Sequence, residues 1–191
     1  MNAAVFLDRD GTINIEKSYL CDPDKLELFP DALTALKELQ DAGYILFIVT
    51  NQSGIGRGYY TEADMHAVNQ KLEALASKAG VTFKKIYFSP EAPEEDSYGR
   101  KPSPRFLLDA SKEFGIDLSQ SYMIGDKLSD LQCGWNAGVK KSFLVLTGYG
   151  KELLKNREDD LRKAQIVKDL AEATQQIISD QRLQYRDSES H

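Results

Sequence analysis

Histidine, cysteine and long apolar runs are all scarce in this chain, and each scarcity excludes something. Of 191 residues, two are histidine, His66 and His191. One sits midway along a helical stretch and the other in the C-terminal tail, so histidine chemistry is not expected. The two cysteines, Cys21 and Cys133, make neither a disulfide framework nor a paired-cysteine zinc spacing. They read as buried or incidental thiols. No apolar run reaches the roughly 18 residues of a membrane span. Met1–Ala4 lack the basic region and apolar core of a signal peptide, so a cytoplasmic location with no membrane association is the expectation. Basic residues are also in deficit: 24 Lys and Arg face 30 Asp and Glu, a net charge of −6. That balance argues against nucleic-acid binding by bulk electrostatics, though not against local cations facing an anionic substrate.

What is present is a regular alternation. At 41% hydrophobic and 28% charged, the chain fits one well-buried globular domain. Apolar runs at Ala3–Leu7, Tyr44–Thr50, Lys85–Phe88, Ser121–Gly125, Ser142–Leu146 and Gln165–Val167 read as strands. Between them lie amphipathic stretches at Asp31–Ala42, from Thr61 onward, Pro102–Phe114, Lys127–Ala137 and Asp169–Ser179. Asp31 is expected as an N-cap, Gly43 as a stop, and Thr61 with Asp64 as an acidic capping box. Strands alternating with helices predict a three-layer α/β fold, a Rossmann-like parallel sheet with helices on both faces. Residues 1–180 form a single domain in this reading, and 181–191 a frayed or disordered polar tail. A monomer is expected, and no segment is long enough for a separate lid.

Chemistry concentrates at the strand ends. Val5-Phe6-Leu7 runs into Asp8-Arg9-Asp10-Gly11-Thr12, two aspartates spaced i, i+2 where open α/β sheets bind ligands. Thr50-Asn51-Gln52-Ser53 ends the second strand, Arg100-Lys101-Pro102 lies beyond the third, and Gly125-Asp126-Lys127 ends the fourth. Singly, each has a plain reading as a turn, a cap or a solvated charge. The D-x-D pair is not a calcium loop, because Gly11 falls fourth from Asp8 and Tyr19 occupies the twelfth position where a glutamate is needed. Converging on one face, the four segments supply a nucleophile, an acid/base, a hydroxyl, a lysine and a third carboxylate. Phosphoryl transfer uses that inventory. Gly54–Gly58 and Gly148–Lys151 match neither nucleotide-binding glycine pattern. The long loops 51–60 and 89–101 leave the same edge of the sheet and are candidates for selectivity.

The motifs FLDRDGTIN, VTNQSGIGRGYYTE, RKPSP and YMIGDKLSD, with Tyr19 spaced between the first two, resemble those of the haloacid dehalogenase-like phosphohydrolases. Within that family they are most similar to the subfamily of heptose bisphosphate phosphatases and histidinol-phosphate phosphatases. The resemblance covers about the first 150 residues. It implies a haloacid dehalogenase-like fold without a cap domain, a sugar-phosphate substrate and Mg2+. It gives Asp8 as the nucleophile that becomes an aspartyl-phosphate and Asp10 as the general acid/base. Thr50 and Lys101 hold the phosphoryl group. Asp126 joins the Asp8 carboxylate and the Asp10 backbone carbonyl as metal ligand. Glu16, Lys17, Ser18, Tyr19, Asn51, Gln52, Ser53, Arg100 and Lys127 contact the substrate, and Arg57 is a further candidate cation for a bisphosphate. Many members carry a zinc loop of three cysteines and a histidine before the Arg-Lys pair. Residues 89–99 here hold neither residue type, so no zinc is expected, and prolines and local hydrogen bonds must hold that loop. Heptose bisphosphate is the leading substrate. Histidinol phosphate is the alternative, and a non-catalytic phosphosugar-binding protein the alternative of another class.

Overall fold

The structure, a computed structural model, describes residues 2–189. Six parallel strands form one sheet: β1 (Ala4–Leu7), β2 (Ile45–Asn51), β3 (Phe83–Ser89), β4 (Tyr122–Gly125), β5 (Lys141–Val145) and β6 (Gln165–Val167), in the order β3-β2-β1-β4-β5-β6. The helices are α1 (Ala32–Asp41), α2 (Glu62–Lys78), α3 (Arg105–Phe114), α4 (Leu128–Ala137), α5 (Gly150–Asn156) and α6 (Leu170–Glu189). The strand order reverses beside β1, and β1 and β4 pair directly, with Leu7 opposite Ile124. A crevice opens at such a switch point beyond the carboxyl ends of the strands.

β1 is buried along its whole length, and its residues divide between two cores. Val5 and Leu7 join Leu36, Leu39, Leu72, Ala173 and Ile177 from α1, α2 and α6. Ala4 and Phe6 face the other way, toward Leu107, Ala110 and Cys133 from α3 and α4. Side chains alternate across a strand, so a central strand covered on both faces reads as an unbroken apolar run. Among the described residues, the segment between β1 and α1 holds one 3-10 turn, Pro23–Lys25, and no described helix is long and apolar enough to cross a membrane.

Thr61 caps α2 through a two-way capping box with Asp64, as its sequence suggests. Several elements depart from expectation. α3 starts at Arg105 rather than Pro102, because Pro104 disfavours helical backbone at Ser103; the Lys101–Pro102 peptide is cis. β3 begins at Phe83, two residues before the expected Lys85. Lys84 and Lys85 are exposed on this edge strand, and their charges disguise it. Asp31 precedes α1 in a left-handed conformation with no side-chain cap bond. α5 is an unexpected helix. The expected tail from Gln181 continues α6 to Glu189, while Ser190 and His191 lie outside the described residues. The start of that extension is anchored: Gln181 donates to the Ala42 carbonyl at 3.0 Å, one turn beyond buried Ile177.

Candidate active site

The sheet register gathers the strand-end residues. The Asp8 amide continues the β1–β4 ladder, donating to the Ile124 carbonyl at 2.9 Å, which brings Asp8 beside Gly125 and Asp126. Asp8 edges a cavity of about 310 Å³ whose walls also include Asp10, Thr50, Arg100, Lys101 and Lys127, while Asp126 is buried and does not line it.

Lys101 is the hub. Its Nζ lies 2.8 Å from Asp8 Oδ1, 2.6 Å from Asp130 Oδ1 and 2.7 Å from the Val49 carbonyl. Burial alone disfavours the ammonium, but Asp130 and Asp8 more than reverse that and raise its pKa. Its backbone is clamped by Asn51, whose amide oxygen accepts from Lys101 N at 3.0 Å while its amide nitrogen donates to Lys101 O at 3.1 Å. Asn51 therefore lines the cavity with its own side chain committed to holding Lys101.

Asp10 is held from three sides. Buried Arg9 donates to Asp10 Oδ2 through Nε at 3.2 Å and Nη2 at 2.9 Å. Asn14 donates to Oδ1 at 2.9 Å, and Gln52 to Oδ2 at 3.0 Å. Burial pushes its pKa up, but the Arg9 charge and these hydrogen bonds outweigh burial and hold it below the usual carboxylate range. A general acid needs the opposite shift, and in the resting site Asp10 is an ionised carboxylate. Gln52 also bonds Thr50 Oγ1 at 2.8 Å and accepts from Tyr60 at 2.6 Å, so it orders the Thr50 hydroxyl as well.

Asp8, Asp126 and Asp130 bring carboxylate oxygens within 4.8 Å of one another, all buried. Burial first, then the neighbouring Asp8 charge, pushes the Asp126 pKa up to about 8. Its Oδ2 accepts from Tyr149 N at 2.8 Å, whereas its buried Oδ1 has no hydrogen-bond partner. An orphaned buried carboxylate oxygen costs free energy unless a cation or donor meets it. Oxygen donors without thiolate or imidazole suit a hard cation such as Mg2+. Asp130 is a poorer ligand, since Lys101 takes one oxygen and Lys127 N donates to the other at 2.9 Å.

Asp130 is the main functional residue that sequence reading missed, although an acid in the first turn of the helix after Gly125-Asp126 is a readable signal. Also missed were buried Arg9, Ser129 on the cavity wall, and the loop at 147–150. Thr147 donates to the Gly11 carbonyl at 2.6 Å. A side chain on Gly11 (φ +83°) or Gly148 (φ +51°) would collide with Asp126 Oδ2. Two glycines thus let backbone close on the carboxylate from both sides.

The substrate-loop candidates divide. Glu16, Ser18, Tyr19, Ser53, Arg100 and Lys127 line the cavity. Glu16 accepts from Ser18 N at 2.8 Å and sits 3.4 Å from Lys127 Nζ. Ser18 and Tyr19 take positive φ values of 47° and 65°, a costly conformation for non-glycine residues that concentrates at functional loops. Lys17 instead turns to Glu27 at 2.9 Å, and Arg57 faces Glu94 at 3.7 Å. Neither lines the cavity, which corrects their expected placement.

A family model described as HAD-hydrolase-like matches residues 98–173. The chain is 47% identical over 146 residues to the D-glycero-beta-D-manno-heptose-1,7-bisphosphate 7-phosphatase of Helicobacter pylori strain 26695, covering 76% of this chain and 84% of that one. It is 42% identical over 154 residues to the protein of that name from Haemophilus influenzae, covering 78% and 84%. The crystal structure of D,D-heptose 1,7-bisphosphate phosphatase from B. bronchiseptica, complexed with magnesium and phosphate, superposes with a TM-score of 0.86 at 29% identity, over 94% of this chain and 99% of that one. With the parallel sheet and its acid-floored crevice, these likenesses define an α/β phosphoric monoester hydrolase. The chain belongs to the haloacid dehalogenase-like family.

Proposed function

We propose that the protein removes the 7-phosphate of D-glycero-D-manno-heptose 1,7-bisphosphate through an aspartyl-phosphate intermediate, with Mg2+ as cofactor. The observation that carries this reading is the pairing of Asp8 Oδ1 with Lys101 Nζ at the cavity wall, with Asp10 beside it and Asp126 behind. The names of the relatives support the sugar.

Asp8 attacks phosphorus, forming an acyl phosphate as the bond to the sugar oxygen breaks. Asp10 protonates the departing alkoxide. It then takes a proton from the water that attacks the acyl phosphate, releasing inorganic phosphate and restoring Asp8. Because Asp10 is ionised at rest, it must take up its proton with the substrate, whose negative charge raises its pKa. Lys101 balances charge on the transferring group, and Asp130 keeps that lysine charged and in place. Asp8, Asp126 and the Asp10 backbone carbonyl would hold Mg2+, which would neutralise the phosphate and screen it from the Asp8 carboxylate. Arg100 and Lys127 would take the second phosphate.

Phosphate release with Mg2+, measured over both heptose bisphosphate anomers, other sugar phosphates and histidinol phosphate, tests the proposal. A heptose bisphosphate should lead histidinol phosphate by at least about tenfold in kcat/KM, a margin of roughly 1.4 kcal/mol. Faster release from histidinol phosphate would overturn the substrate. Release from nothing would favour a phosphosugar-binding role. Asp8→Asn should lower kcat by about 10⁴ or more with the fold intact, and a tenth of the wild-type rate would remove Asp8 as nucleophile.

A further inference from the structure

Between Ser89 and Arg100 the chain makes a loop with no described helix or strand, yet it ends on a cation of the cavity wall. One carboxylate organises it. Glu91 Oε2 accepts from Ser89 Oγ at 2.5 Å and from Ser97 Oγ at 2.8 Å, and the two hydroxyl oxygens lie 3.0 Å apart. Each hydroxyl has a single hydrogen. With both given to the carboxylate, Ser97 Oγ turns a lone pair outward, and Arg100 N donates to it at 3.1 Å. Arg100 Nη1 donates to the Glu91 carbonyl at 3.1 Å. The arginine is therefore tied at its guanidinium to the Glu91 carbonyl and at its backbone to Ser97, whose hydroxyl the Glu91 carboxylate fixes. The base of the knot is fixed too, since Gln52 N donates to Ser89 O and Gly56 N to Pro90 O, both at 2.8 Å.

We propose that Glu91 is a positioning residue for Arg100: the Ser89–Glu91–Ser97 knot presets the guanidinium that meets the non-reacting end of the substrate. This rests on the function proposed above. Glu91 does not line the cavity and touches no reacting atom, so its effect falls on binding rather than on the chemical step. A preset side chain loses less freedom when it engages its ligand.

The test combines kinetics with a readout that needs no substrate. Glu91→Ala should raise KM for heptose bisphosphate about tenfold, the scale of a lost charged hydrogen bond, with kcat within about twofold. Glu91→Gln, whose amide oxygen accepts both hydroxyls, should stay within about threefold of wild-type KM. Ser97→Ala should follow Glu91→Ala and guards against a Glu91→Ala protein that fails to fold. Added to Arg100→Ala, Glu91→Ala should do nothing further. In ¹⁵N relaxation of the free protein, the Arg100 Nε–H should be ordered in wild type and mobile in Glu91→Ala or Ser97→Ala. An unchanged KM, a fall confined to kcat, additive effects, or an equally ordered Arg100 would each overturn the role. If wild type releases no phosphate from heptose bisphosphate, the functional reading fails, and the relaxation measurement still decides whether the knot sets Arg100.

Discussion

The floor and the rim of the cavity carry similar charges under opposite conditions. At the floor, the side chains of Lys101, Asp8 and Asp130 are 2%, 5% and 0% exposed and share one ammonium. At the rim, the Arg57 side chain is 32% exposed and its partner Glu94 69%, at 3.7 Å. Low dielectric makes the floor unforgiving, because each buried charge depends on the others. Water screens the rim, where an ion pair is worth about 0 to 1 kcal/mol. The floor is built to hold one arrangement for chemistry, and the rim is free to vary with the substrate.

The largest break in that contrast should come from Lys101→Met. It removes the charge while roughly keeping the volume, and strands Asp8 and Asp130 together. Loss of one partner of a buried ion pair costs about 3 to 5 kcal/mol, so denaturant unfolding should show a drop of about 3 kcal/mol alongside loss of turnover. A stability change under about 1 kcal/mol would mean that the floor is as wet as the rim.

The side of the floor where Mg2+ is proposed to bind is sharpened by Gly148→Ala. The added methyl meets Asp126 Oδ2 and lies 2.8 Å from Gly11 Cα, at a φ of +51° that alanine tolerates poorly. Asp126 must shift, so the Mg2+ concentration for half-maximal activity should rise about ten- to a hundredfold, the range seen when groups supporting a metal ligand are disturbed. An unchanged Mg2+ dependence would detach the 147–150 loop from the metal site.

The same division explains what could be read without coordinates. Asp8, Asp10, Thr50, Lys101 and Asp126 all follow or end buried apolar strands or lie in compact motifs, and parallel pairing carries those ends to one edge whatever the loops do. Asp130 escaped because its role depends on helix geometry returning it to Lys101, twenty-nine positions away in the chain. Arg9 escaped because a charged residue between two aspartates reads as exposed, whereas Asn69 on α2 accepts its Nη1 at 2.8 Å and completes a buried shell. Loop residues were read by type rather than by direction. Asn51 and Gln52 look like substrate ligands, yet their amides are occupied by Lys101 and Asp10. Lys17 looks like another, and it bonds Glu27.

Arg57 gives the smallest expected effect and the sharpest test of the rim. It reaches Glu94 rather than the cavity, but it stands near enough to Arg100 that its charge, after burial, lowers the Arg100 pKa. Two readings of that proximity lead to different kinetics. If the glycine-rich loop 51–60 stays where it is, Arg57 acts only at a distance through solvent, and Arg57→Ala should change KM for heptose bisphosphate by less than about threefold, as a screened surface charge does. If the loop folds onto the bound sugar phosphate, Arg57 must leave Glu94 and join Arg100 on the second phosphate. The same variant would then raise KM about tenfold or more, and the effect would disappear with a substrate that lacks that phosphate. Glu94→Ala separates the two further, because freeing Arg57 should leave KM unchanged for a static rim and lower it for a closing one. A tenfold effect of Arg57→Ala would move the residue from the rim to the working wall of the site.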